Sequence, residues 1–197
     1  MDEHQAIDRV KRGDLDGLEP LARAYYLPAV RAAFLVTGDA AIAEDVAQSA
    51  FVELPRKIRS FDAAREFRPW FLRSVVNAAT SACRGAKNIA LPDDDLAVER
   101  LAALAGDPGP EEACITAETR RAVQQALNQL SPAQRAAVVL RYYLELNEDE
   151  MTHALGRPRS TVKWLLFAAR QKLRRLLDPS SDPEMHMETS NPKKERI

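Results

Sequence analysis

Cysteine is scarce in this chain: Cys83 and Cys114 are the two in 197 residues, far apart and without metal-ligand spacing. No disulfide framework or zinc ribbon can be built from them. Cys83 falls on the apolar stripe Leu72, Val75, Val76, Ala79, Cys83, where a buried structural thiol is expected, and such usage fits a reducing cytoplasm. Glycine is also sparse, at seven, and no cluster has the spacing of a phosphate-cradling loop. The three histidines, His4, His153 and His186, have no Ser, Cys or metal partner in view. No catalytic residue, metal ligand or cofactor is therefore expected, and His153 reads as a surface or packing residue. Long apolar runs are missing, and Met1-Asp2-Glu3-His4 lacks the basic start of a signal peptide, so neither membrane insertion nor secretion is expected. Strand-like alternation is absent as well, which leaves an all-α chain.

Charge of one sign is lacking overall, with 28 bases against 29 acids, but it is unevenly placed. Residues 56–87 hold eight bases against two acids, 93–118 eight acids against one base, and 157–175 seven bases and no acid. Two basic blocks around an acidic one suggest two phosphate-facing surfaces joined by a segment that avoids phosphate; solvated helix faces are the alternative for either block.

The apolar residues recur at helical spacing. After the boundary Gly13-Asp14, Leu18, Leu21, Ala22 and Tyr25 form one stripe. Pro28 is expected to interrupt it before Val30, Ala33 and Phe34 resume. Asp39 is a candidate N-cap for a helix with inner face Ala43, Val46, Ala47, Ala50 and Leu54, which Pro55 should bend or end. A connector at Phe61-Asp62 leads to a helix over about 69–83. The first domain is placed at 1–87, followed by an acidic, flexible linker at 88–112 rich in turn-forming residues. Val123, Ala126, Leu127 and Leu130 begin a second helical domain at 113–178. Ser131-Pro132 fits an N-cap and first helical position, and Val139, Tyr142, Tyr143 and Leu146 continue the pattern. The final stripe runs from Val162 to Leu177, and 179–197 is expected to be a disordered tail.

A helix-turn-helix is predicted at 147–172. Asn147 and Glu150 form a capping-box pair, Met151 and Leu155 face inward, and Gly156 makes the turn. The second helix starts with Arg157-Pro158-Arg159-Ser160-Thr161-Val162-Lys163, whose bases and hydroxyls suit a helix end entering the major groove. Upstream, Asp45 and Gln48 share a helix face at i, i+3 beside the apolar stripe. From Arg56 to Trp70 bases alternate with aromatics, the combination that can hold single-stranded bases outside the stack.

The stretch 127–143 with Gly156 and Thr161-Val162-Lys163 resembles the C-terminal DNA-binding domain of the extracytoplasmic-function sigma factors. The first half is similar to the same family in Gly13-Asp14, Leu18, Leu21 and Tyr25, in 43–51, and in Phe61, Phe67, Trp70, Phe71, Leu72, Arg73 and Asn77. The resemblance covers about 160 residues in the family's order. It implies a chain that binds core RNA polymerase, the clamp of the β′ subunit and the flap of the β subunit, and that melts promoter DNA. Asp45, Gln48 and Phe51 would meet the polymerase; Phe61, Arg73, Asn77, Arg84 and Lys87 the −10 element; Arg157, Arg159, Ser160, Thr161, Lys163, Trp164 and Arg170 the −35 element. Phe61 and Asn77 would line a pocket for an extruded base, whereas Phe67, Trp70 and Leu72 read as core. An anti-sigma factor is a possible further partner, the acidic linker would thread polymerase channels or act as a tether, and the location implied is cytoplasmic.

The chain departs from the family's pattern at Ser49, Ala79, Ala82, Pro158, Trp164, Leu165 and Ala168. Trp164 and Phe167 share a face with Ser160, Lys163 and Gln171. Trp164 is expected to be partly buried beside Leu165 and Leu166, with a minor DNA contact. Two other functions stay open at this level: a helix-turn-helix regulator acting without polymerase, and a sigma-like interaction protein.

Overall fold

Ala6, Ile7 and Val10 repeat at the spacing of one helix face, and all three are buried where Glu3–Lys11 forms α1. This helix precedes the first stripe expected from sequence. The computed structural model describes residues 2–85 and 110–178, and among these every regular element is helical. Asp14 accepts the Asp16 N–H at 3.1 Å and holds a 3-10 turn, Leu15–Gly17, beside α1. At Gly17 a Cβ would lie 2.5 Å from the Ala6 carbonyl oxygen, so glycine is what lets the turn approach α1.

Helix α2 (Leu18–Thr37) passes through Pro28 without a break. Proline removes one N–H, and burial of Ala29, Val30, Ala32, Ala33 and Phe34 keeps the helix continuous around that loss. Gly38 ends it with φ 71°, and Asp39 caps α3 (Ala40–Lys57) by accepting the Ile42 N–H at 2.9 Å. Pro55 lies in the last turn of α3, which continues as the 3-10 turn Ile58–Ser60. Helix α4 (Phe67–Gly85) begins slightly earlier and ends slightly later than its apolar stripe implies.

The second half comprises α5 (Pro110–Asn128), α6 (Pro132–Val138), α7 (Glu148–Leu155) and α8 (Arg159–Leu177). The expected linker lies outside the described residues except for 110–112, which already belong to α5; the tail lies outside them too. Ser131 and Gln134 form a reciprocal capping box at α6, and Asn147 and Glu150 another at α7. Helix α6 widens into a π turn, Val139–Tyr143, and Glu145 then takes a left-handed φ of 58°. That wider turn leaves Val139 and Leu140 buried while Tyr142 stands 57% exposed.

Helices α2, α3 and α4 bury a core that includes Leu21, Phe34, Leu54, Phe67, Phe71 and Val75. The same cluster continues through Leu140, Met151 and Leu166 of the second half. Leu127 and Leu130 close a smaller cluster with Ala169.

Candidate nucleic-acid interface

Gly156 ends α7 in the left-handed conformation, φ 59°, and α8 starts three residues later. Pro158 occupies the N-cap and offers no side-chain hydrogen bond there. Val162, Leu165, Leu166 and Ala169 face inward, whereas Arg157, Arg159, Ser160, Lys163, Trp164 and Arg170 are exposed and Thr161 is half-buried. Trp164 is 61% exposed, not partly buried as expected. At 100° per residue, Leu166 projects nearly opposite Trp164, so the two leucines draw the other side of the helix inward.

The basic side chains are held by neighbours. Arg159 meets Glu148 at 3.1 Å and Asp149 at 3.0 Å, and Lys163 lies 3.8 Å from Glu148. Arg170 donates to the Tyr142 hydroxyl at 2.8 Å with its guanidinium over that ring, and Lys172 donates to the Gln129 carbonyl. Glu148 and Asp149 were not singled out in sequence, because they lie ten or more positions away from the bases they hold. Tyr142, expected on the apolar stripe, stands exposed instead and takes Arg170.

The aromatics between 61 and 71 pack on one another. Phe61 is 4% exposed, with Phe67 and Trp70 rings 5.5 Å and 4.9 Å from its own; Lys11 Nζ donates to its carbonyl at 2.7 Å. Phe67 and Leu72 are buried and Trp70 half-buried. Arg73 is half-buried and Arg84 exposed, while Lys87 lies outside the described residues. On α3, Asp45 and Gln48 are exposed on an outer face that continues to Val52, and Phe51 is half-buried against Phe71.

The second half of the chain sits on α4. Asn77 Nδ2 donates to the Ala154 carbonyl at 2.9 Å, a C-terminal carbonyl of α7 that the helix itself leaves unpaired. Arg68 lies over the Tyr143 ring at 5.9 Å, and the Tyr143 hydroxyl reaches the Pro28 carbonyl at 3.5 Å. A cleft between the halves is lined by Arg65, Trp70 and Arg73 on one side and Asn147, Asp149, Glu150 and His153 on the other. Arg135 of α6 is 5% exposed. It reaches the Thr37 carbonyl only at 3.5 Å, and its Nε has no hydrogen-bond partner. Burial lowers its pKa from the usual arginine value. Burial pushes the nearby Cys83 thiol up, against the pull of that cation, and the thiol is half-buried rather than fully buried, facing the Val36 carbonyl at 3.7 Å. Among the described residues no cluster of three or more His, Cys, Asp or Glu could hold a metal, and no helix is long and apolar enough to cross a membrane.

Residues 21–89 match the family described as Sigma-70 region 2, and residues 120–173 match Sigma-70, region 4. The chain is 31% identical over 184 residues to the ECF RNA polymerase sigma factor SigW of Bacillus subtilis, covering 87% of this chain and 94% of that protein. It is 29% identical over 185 residues to the RNA polymerase sigma-H factor of Pseudomonas aeruginosa, covering 90% and 94%. In fold it resembles CnrH, solved in complex with the cytosolic domain of CnrY, with a TM-score of 0.60 and 22% identity over 91% of this chain and 99% of that one. The sigma factor RpoE of Bartonella quintana, solved with the anti-sigma factor NepR, has a TM-score of 0.55 and 20% identity over 81% and 97%. With both sigma regions present in order, and a curated relative aligned over nearly its whole length, the chain belongs to the extracytoplasmic-function sigma factors of the sigma-70 family.

Proposed function

We propose that this sigma factor binds core RNA polymerase through the outer face of α3, reads and melts the −10 element with residues between Phe61 and Lys87, and reads the −35 element with α8. The observation that carries this reading is the exposed basic side of α8, shared by Arg159, Lys163, Arg170 and Arg174, within a stretch, 157–175, that holds no acid. Phosphate contacts supply affinity and register, and side chains between them reach base edges. Asp45, Gln48 and Phe51 serve the β′ clamp; Phe61, Arg73, Asn77, Arg84 and Lys87 the −10 element; Arg157, Arg159, Ser160, Thr161, Lys163, Trp164 and Arg170 the −35 element. The β flap is the second polymerase partner in this reading. The protein works in the cytoplasm, catalyses no reaction itself, and is open to capture by an anti-sigma protein, as the RpoE of B. quintana is by NepR.

Reading the −10 element requires the two units, 1–87 and 113–178, to part. Asn77 offers its amide to Ala154 and cannot reach a base while α7 covers α4. Phe61 lies under Trp70 of its own unit, so that ring must also move aside before Phe61 reaches a base. The outer face of α3 stays open meanwhile, which puts polymerase binding before promoter reading. The test is run-off transcription from genomic DNA with purified core polymerase. Promoter-specific transcripts are expected from the wild type. Asp45→Ala with Gln48→Ala should weaken competition for core by about 1–3 kcal/mol, because both polar side chains that hydrogen-bond the clamp are removed. Duplex binding without core and no transcripts would mean a plain regulator; a double variant that competes as well as the wild type would remove α3 from the clamp contact.

A further inference from the structure

The outward face of α8 is divided. Phe167 stands near its centre; at 100° per residue, Ser160, Trp164 and Gln171 lie to one side and Lys163, Arg170 and Arg174 to the other. Trp164 and Phe167 are each 61% exposed, one turn apart. The cationic side is held in place, Lys163 near Glu148 and Arg170 by Tyr142. A helix in the major groove meets this same division, with phosphates at the groove wall and base edges on its floor. The apolar group that base edges present on that floor is the C5-methyl of thymine.

Charge favours duplex DNA as the occupant of this face: Lys163, Arg170 and Arg174 line one side of it, and α8 itself contributes no acid there. The neighbouring acids of α7, Glu148 and Asp149, are taken up by Arg159 and Lys163. Ser160 and Gln171, beside the aromatics, add the short hydrogen-bonding groups that base edges accept. We propose that Trp164 and Phe167 read thymine methyl groups in the −35 element, so that this sigma factor selects its promoters partly by apolar contact on the major-groove floor. This inference rests on the −35 reading given above and names its chemistry.

The experiment uses holoenzyme reconstituted from core polymerase and the full chain, on a promoter identified by run-off transcription, with the −35 element located by block substitution. Each thymine in the element is replaced singly by deoxyuridine, which removes the methyl and leaves base pairing intact. Wild-type holoenzyme should bind about fourfold more weakly for each contacted methyl removed, the factor that follows from burying one carbon of that size. Trp164→Ser and Phe167→Ser should each abolish the thymine-to-uracil difference at a position of their own, with the melting temperature of the protein unchanged because both rings are exposed. Trp164→Tyr should restore part of the difference at its position.

The inference is overturned if deoxyuridine binds as well as thymidine at every position, if the element contains no thymine, or if both serine variants keep the difference. It is also overturned if those variants bind promoters normally and lose only a protein partner. Should scrambling the whole −35 element leave promoter use unchanged, the −35 reading itself fails. Sensitivity to scrambling without sensitivity to the methyl defeats the inference alone.

Discussion

Gly17 and Gly156 serve for different physical reasons, and their alanine variants separate those reasons. A Cβ at Gly17 would sit 2.5 Å from the Ala6 carbonyl oxygen and 2.9 Å from Val10 Cγ2, so the backbone must move. Gly17→Ala should cost about 1–3 kcal/mol, as overpacking does. Gly156 has φ 59° and nothing within 4 Å of a built Cβ, so Gly156→Ala should cost about 1 kcal/mol for the left-handed backbone alone. Urea unfolding of both variants checks the order, and a larger loss at Gly156 would show that the Gly17 contact relaxes easily. Gly156 was legible in sequence because a helix-to-helix turn demands a residue of its kind. Gly17 was not, since its constraint comes from α1.

At the scale of the element, α7 combines local and tertiary roles. Its capping box, Asn147 with Glu150, is a three-residue relation and could be read directly from the chain. Its first turn also carries Glu148 and Asp149, which hold Arg159 and, through Glu148, approach Lys163. Acids so placed compete with phosphate for the cations that start α8. Glu148→Gln with Asp149→Asn should therefore tighten holoenzyme binding to −35 duplex at low salt and steepen its salt dependence. Fold stability should change little, because these ion pairs are solvent-exposed. Weaker binding by the double variant would show instead that the acids hold Arg159 in its reading position. The aromatic stretch 61–71 was legible as aromatic and basic, but not as a stack: its rings face one another because α4 folds back over α2 and the 3-10 turn before it.

For the whole molecule, Cys83 reports whether the two halves separate. Burial raises its pKa above the usual thiol value, so at neutral pH the closed protein holds less thiolate than a free cysteine and should alkylate slowly. As pH rises the thiolate appears later than in a free thiol, and the rate should lag accordingly. Separation takes Arg135 and the helix that carries it away from the side of α4 where Cys83 lies, and so frees access to the thiol. Cys83 should therefore alkylate faster in the complex with core polymerase than in the free chain, followed peptide by peptide by mass spectrometry. Equal rates would argue against opening on polymerase binding. Arg135 fits a contact made to be broken, since a guanidinium buried with one long hydrogen bond gains water when the halves part.

Helical periodicity, both capping boxes, the Asp39 cap and the Gly156 turn depend on residues within one or two turns of each other, and the sequence by itself determined them. It also determined the family, because the two sigma regions follow in order along the chain. The continuity of α2 through Pro28, the burial of Phe61, the exposure of Trp164, the bond from Asn77 to Ala154 and the holding of Arg159 by α7 were decided only in the tertiary structure. Each depends on a residue's angle around its helix or on a partner far along the chain. A side chain's type says whether it can be buried or bonded; which neighbour arrives is set by how the helices pack.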